Sequence, residues 1–195
     1  MAYEAKELGI IKADDTRINP STEETLSSIN SKLSTGITIG ENRWQDAVAD
    51  GKGFVVGTNN LTISGTAESD FMLIKNPLGS GKTIKLYKAN FGLDASTVNP
   101  TTFRIYRDPT ITANGTALTI RNLKKSGAAT AMTAFRAPTI SARGSFMASD
   151  VFSSIESDII FDLGFLIEAD ENILISFDPA VTNNPHHATL FWTEE

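Results

Sequence analysis

From about Gly53 onward, apolar residues recur at every second position in short runs, the period of a strand that keeps one face in a core. Runs at 53–57, 61–65, 71–75, 83–89, 101–107, 117–121, 129–135, 159–163, 165–169, 173–177 and 187–193 each predict a strand. Between them stand Asn59-Asn60, Asp108-Pro109, Asn114-Gly115 and Asp178-Pro179, all good turn formers. In TANGTAL, Asn114-Gly115 between two alternating segments predicts a hairpin; in IEADENILI, the turn at Asp170 to Asn172 predicts another. Strands are not separated by helical patterns, so no parallel βαβ rhythm appears. The expected fold is mainly β, an antiparallel β-sandwich of jelly-roll-like type over residues 51–195.

Ahead of it, residues 1–50 read differently. Residues 1–20 show no sustained period, end in Ile18-Asn19-Pro20 and predict an extended arm. Ser21-Thr22-Glu23-Glu24 then matches a capping box, in which the hydroxyl accepts from a first-turn amide and Glu24 reaches back. Leu26, Ile29 and Leu33 fall on one face of the short helix that follows, and Gly36 stops it. A helix of this length is marginal alone, so that face is expected to dock on the domain or on another copy of the chain. Trp44, Ala47 and Val48 indicate a second helical turn before Gly51. Leu26, Ile29, Leu33 and Trp44 are the candidate oligomer or docking residues.

The stretch NPLGSGKT, residues 76–83, ends like a nucleotide-binding P-loop. The motif needs a glycine where Asn76 stands, and it must lead into a helix whose N-terminus faces the phosphates. Here Ile84-Lys85-Leu86-Tyr87-Lys88-Ala89 follows with period two, so a turn between strands is predicted.

Composition changes the picture in two places. With 195 residues and no cysteine, the chain has no disulfide, thiol nucleophile or cysteine-based zinc site and must rely on packing and association. The net charge of −6 is unevenly spread: 6 bases and 11 acids in residues 1–74, 11 bases and 2 acids in 75–143, and 10 acids with no base in 144–195. The bases are scattered over several strands, and only Tyr87 and Tyr106 lie close enough to act as stacking platforms. That arrangement argues against a nucleic-acid surface and for basic and acidic faces that meet between or within subunits. No run approaches the length of a membrane span, and the first residues lack an apolar signal core. A soluble chain made in the cytoplasm, with no membrane partner, is the expectation.

Candidate chemistry is sparse. Gly36 to Gly40 has Thr38 where a nucleophile elbow has serine. His186 and His187 are adjacent, so on a strand they point to opposite faces and cannot share one metal. Glu168, Asp170 and Glu171 lack the glycine and terminal glutamate of a calcium loop. Glu156, Asp158 and Asp162 offer carboxylate pairs of the sort that any acid-rich β domain offers. Asn60 and Asn114 each open an Asn-x-Thr sequon, which matters only in a secreted chain. No catalytic residue, cofactor or metal is assigned, and enzymatic activity is not expected.

RINPSTEETLSSINSKL, ENRWQDAVADGKGFVV, FMLIKNPLGSGKTIKLYKANF and FRIYRDPTITANGTALTIRNL together resemble virion proteins of tailed bacteriophages. The resemblance covers most of the chain and implies a small β domain carried on an N-terminal arm. In one class it implies a capsid decoration, cement or head-fibre protein: an oligomer, with a trimer favoured, that sits on the major capsid protein and bridges neighbours with its arm. In the other it implies a tail-fibre, collar or receptor-binding module whose loops bind a host glycan. Trp44 lies near the arm and Trp192 in the last strand, away from such loops, which favours the capsid surface.

Overall fold

The structure is a computed structural model that describes residues 10–11, 17–18, 43–94, 100–152 and 159–195. The chain divides into two compact units, Met1–Arg43 and Trp44–Glu195. In the first, β1 (Ile10–Ile11) and β2 (Arg17–Ile18) pair antiparallel, with Ile10 opposite Ile18. Leu26, Ile29 and Leu33 lie outside the described residues.

The second unit is the sandwich. A helix, α1 (Arg43–Ala49), begins at the boundary. The strands that follow are β3 (Gly53–Gly57), β4 (Leu61–Ile63), β5 (Ser69–Lys75), β6 (Ile84–Leu93), β7 (Thr101–Arg107), β8 (Thr110–Ala113), β9 (Thr116–Ala117) and β10 (Arg121–Asn122). They continue as β11 (Thr133–Arg136), β12 (Thr139–Ala142), β13 (Ser145–Phe152), β14 (Ile159–Ile167), β15 (Asn172–Pro179) and β16 (Asn184–Glu194). One sheet runs β10-β3-β16-β6-β14, with β4 also on β16; the other runs β13-β7-β15-β5-β11-β9. Every ladder is antiparallel.

Successive long strands alternate between the sheets, except for β7 and β13, which pair in one. Four interleaved strands, β3-β16-β6-β14, thus oppose four others, β5-β15-β7-β13, the strand order of a jelly roll. Alternation supplies the inner faces: Phe54 and Val56 of β3, Ala188, Leu190 and Trp192 of β16, and Ile173, Ile175 and Phe177 of β15 are all buried. Phe177 is the hub. Its ring lies 4.4 Å from Phe71, 5.6 Å from Phe91, 5.7 Å from Phe152 and 5.3 Å from the His186 imidazole, centroid to centroid. Each buried phenylalanine removes enough apolar surface from water to stabilise the fold by about 1.5–3 kcal/mol.

Both predicted hairpins turn out to be something else. At Asn114-Gly115 the flanking strands β8 and β9 do not pair with each other; β8 pairs with β12 and β9 with β11. The segment is a bend in one arm of a long ribbon, opposite a second bend at Ala137, whose φ is +49°. Gly115 has φ +86°, and a Cβ there would stand 2.3 Å from the Arg136 carbonyl oxygen, so glycine is required by contact as well as conformation. At Asp170 the chain passes from β14 in one sheet to β15 in the other, an arch between layers. The predicted strands at 159–163 and 165–169 form a single strand, β14, whose register slips between Asp162 and Phe165 around Gly164 at φ +61°.

Residues 108–144 form an insertion between β7 and β13. It leaves from β7, beside the β13 edge, reaches the opposite edge, where β11 pairs with β5, and comes back to β13, so it crosses the outer side of β15 and β5. Leu73 and Leu174, cross-strand neighbours outside the shared core cluster, are 0% exposed beneath it. Its fasteners are the Ala137 amide to the Phe71 carbonyl at 2.9 Å, Lys75 Nζ to Asn114 Oδ1 at 3.3 Å and Arg143 Nε to Asp70 Oδ1 at 2.9 Å. It then reaches the other sheet, where β10 pairs with β3.

Candidate functional site: an aromatic surface and an open edge

Trp44 owes its position to how α1 ends. Gly51, at φ +76°, gives its amide to the Val48 carbonyl at 3.0 Å, and Lys52 gives its amide to the Ala47 carbonyl at 2.8 Å, the bond pair of a Schellman cap. Lys124 Nζ from the insertion adds a bond to the Ala49 carbonyl at 2.6 Å. Val48 lies so close to Gly53 that a Cβ there would meet its Cγ2 at 2.5 Å, so the helix sits directly on β3.

The partners of Trp44 come from a break in the alternation of β6. Ile84 and Leu86 point inward, and so do Ala89, Phe91 and Leu93, one residue out of phase. The slip appears in the ladder, where Phe191 opposes Lys88 but Trp192 opposes Leu86. Tyr87 is the extra residue of this bulge, so Tyr87 and Lys88 both lie on the outer side. Trp44 meets Tyr87 at a ring separation of 5.1 Å and Phe191 edge-on at 6.3 Å. Lys85 Nζ sits 5.1 Å from the Tyr87 ring centroid. Trp44, Tyr87, Lys88, Leu123, Asp162 and Phe191 line a cavity of about 460 Å³. Its lining is mainly apolar, three of the six residues being aromatic, and Lys88 and Asp162 face each other in register.

The structure thus places Trp44 with Tyr87, Phe191 and Leu123, which the sequence reading did not select. The phase break in IKLYKANF was the signal available for Tyr87.

The neighbouring strand, β14, is the edge of its sheet, as β13 is of the other. Ile160 and Leu166 on β14 are 56% and 50% exposed; Phe146 and Val151 on β13 are 59% and 54% exposed. Each strand has one register slip, but neither carries the lysine or proline that commonly blunts a free edge.

His186, Asn76 and Glu171 serve the fold, while Thr38, Glu156 and Asp158 lie outside the described residues. His186 is 0% exposed and bridges the two sheets: Nδ1 donates to the Asn184 carbonyl at 2.9 Å, which leaves Nε2 to accept from the Thr101 hydroxyl at 3.0 Å. Burial pushes its pKa down to about 4, against the opposing pull of the Asn184 carbonyl, with a small further push from His187. Asn76 is 1% exposed and donates to the carbonyls of Lys82 at 2.9 Å and Ile167 at 3.2 Å, tying the NPLGSGKT arch between β5 and β6. Glu171 accepts from the Glu168 amide at 2.7 Å and pairs with Arg107 at 3.3 Å. Among the described residues, no group of three or more metal-ligating side chains converges. No described helix is long and apolar enough to cross a membrane.

On the outer side of the β5-β15-β7 region, Glu68 joins four partners. It accepts from the hydroxyls of Ser176 and Tyr106, the latter at 2.9 Å, and pairs with Arg104 at 3.0 Å and Arg143 at 3.4 Å. Burial alone would raise its pKa, but the two hydroxyls and two guanidinium charges outweigh it and hold the carboxylate below its usual value. Arg104 also pairs with Asp178 and Arg143 with Asp70, both at 2.9 Å. The cluster clasps the returning end of the insertion to the sheet.

Compared with protein-family models, with curated proteins and with solved structures, the chain matches none.

Proposed function

We propose that this chain is a non-enzymatic structural protein of a tailed-bacteriophage particle, decorating or cementing the capsid surface as a homo-oligomer with a trimer favoured. The observation that carries the reading is the unequal treatment of the two long edges of the sandwich. One edge is closed by the chain's own insertion, with β10 on β3 and β11 with β9 on β5. The other, β13 and β14, has no further strand among the described residues and bears four exposed apolar residues. Unprotected apolar edges invite strand pairing, so a protein that must remain monomeric is expected to blunt them. A lattice component has a use for them.

The charge division supports the same reading. Residues 144–195, which supply β13 and β14, have no lysine or arginine, whereas the insertion at 108–144 carries Arg121, Lys124, Lys125, Arg136 and Arg143 against the single acid Asp108. Apart from Arg121 and Arg136, the exposed Lys124 and Lys125 leave the closed edge basic, while β13 and β14 carry Asp150 and Asp162 and no base, a division that favours contact between copies. In this account the Trp44 cavity faces the capsid protein or a neighbouring copy, and the arm with Leu26, Ile29 and Leu33 bridges neighbours. The resemblance of the arm, the helical segment and the strands through residue 123 to tailed-bacteriophage virion proteins supports the choice of particle. The test is copy number in purified particles, by quantitative mass spectrometry against the major shell protein. A count comparable with that protein supports decoration; absence from particles overturns the proposal, and a count of a few per cent or less moves the chain to tail, collar or fibres.

A further inference from the structure

A second cavity, of about 440 Å³, opens at the closed edge, between β3 and the insertion. Among its lining residues are Gly57, Asn59, Thr116, Thr119, Arg121 and Arg136, and no acid lines it. Arg121 stands opposite Val55 of β3, and Arg136 stands between Thr116 of β9 and Met72 of β5, so rigid ladders hold both. Arg136 is half-buried and Arg121 exposed.

What sets these two arginines apart is the lack of a counter-charge. The ion pairs among the described residues belong to Arg104, Arg107 and Arg143, the first and last of which each touch two carboxylates. Arg121 and Arg136 have no carboxylate partner among the described residues. A partly desolvated guanidinium with no partner is costly, and its fork of donors matches a planar carboxylate or a phosphate. Asn59, Thr116 and Thr119 add amide and hydroxyl groups of the kind that bond sugar hydroxyls. The volume falls in the range of small-ligand pockets. The lining contains no aromatic residue on which a neutral sugar would stack, so charge must supply the recognition.

We propose that this cavity binds an acidic saccharide, its carboxylate or phosphate held by Arg136 and Arg121 and its hydroxyls by Asn59, Thr116 and Thr119. The site is independent of the particle reading, since it stands on one chain and needs no neighbour. A saccharide fits better than an acidic edge of another copy, because the walls are polar and concave where the core of a protein interface is apolar.

The test is isothermal titration of the full chain with trigalacturonate, a glucose monophosphate, neutral maltotriose and inorganic phosphate. The expected result is saturable binding of an acidic saccharide and none of maltotriose; which of the two binds assigns the anion as carboxylate or phosphate. Arg136→Gln and Arg121→Gln should each weaken binding about tenfold or more. Arg136→Lys, which keeps the charge and loses the fork, should weaken it less. Arg121 is exposed, so its variant stays readable even if Arg136→Gln perturbs folding. Absence of saturable binding, inorganic phosphate binding as tightly as either saccharide, or affinity unchanged in both glutamine variants would overturn the proposal. So would glutamine variants that alter only the sedimentation mass, which would assign the cavity to subunit contact.

Discussion

Trp44 and Tyr87 stand with their rings 5.1 Å apart and inclined at 56°, one held by the capped end of a short helix and the other by a bulge in β6. Neither would reach the other from regular secondary structure alone. Trp44→Ala and Tyr87→Ala should each lower stability modestly, because both side chains are only half-buried. A double-mutant cycle should return a coupling of about 0.5–1.5 kcal/mol by urea denaturation. A coupling near zero would mean the rings are neighbours without mutual support.

Gly115 and Gly79 separate backbone strain from contact. Both have positive φ, +86° and +79°, but a Cβ on Gly115 would collide with the Arg136 and Ala137 carbonyls, whereas nothing lies within 4 Å of one on Gly79. Gly79→Ala should cost about 1 kcal/mol and Gly115→Ala about 2–4 kcal/mol. Equal losses in thermal melts would contradict the kinked-ribbon description of the insertion.

Removing the charge of Glu68 is expected to cost less than breaking a buried ion pair usually does. In Glu68→Gln, Arg104 keeps Asp178 and Arg143 keeps Asp70, so neither guanidinium is abandoned. A loss of about 1–3 kcal/mol is predicted, mostly from the lost charge opposite Arg104 and Arg143, because the glutamine oxygen can still accept from Ser176 and Tyr106. Adding Asp70→Asn should cost more than the two single losses combined, because Arg143 then loses both carboxylates.

His186 gives the fold a defined acid sensitivity. Its pKa is lowered from 6.5 to about 4 on folding, so the unfolded chain takes up the proton first. The stability it contributes is therefore complete above pH 6.5 and declines as pH falls from there toward 4. The slope from this residue approaches about 1.4 kcal/mol per pH unit. His186→Gln should be less stable than the parent at pH 7, because a buried bridge is disturbed, yet its stability should fall less between pH 6.5 and 4.5. Parallel curves for the two proteins would remove His186 from the titration.

Much of the sandwich was legible from the period of two. The bounds of β3 and β7 follow directly from Phe54 and Val56 and from Phe103 and Ile105, which alternate cleanly. Asn76 and the alternating run after Thr83 identified NPLGSGKT as a turn, and the structure adds that it arches between sheets. Local pattern did not reveal which strand pairs with which. Asn114-Gly115 supplies the positive φ that a hairpin needs, and a kinked ribbon needs the same thing. The strand β13 escaped notice because it is an edge: in SFMASDVF only Phe152 is fully buried, so little alternation was there to read. Trp44 is legible as part of a helical turn near the arm and Tyr87 as an aromatic on a strand, but their meeting with Phe191 is not, because the bulge that turns Tyr87 outward is a property of two paired strands.

The central claim is that this molecule assembles through its open β13–β14 edge, and sedimentation equilibrium of the full chain tests it most directly. The account predicts a defined oligomer that reverts to the 21.0 kDa monomer when Ile160→Lys and Val151→Lys place charge on the edge, without loss of the folded signal. A parent chain that remains monomeric at high micromolar concentration, or an oligomer indifferent to both substitutions, would contradict it.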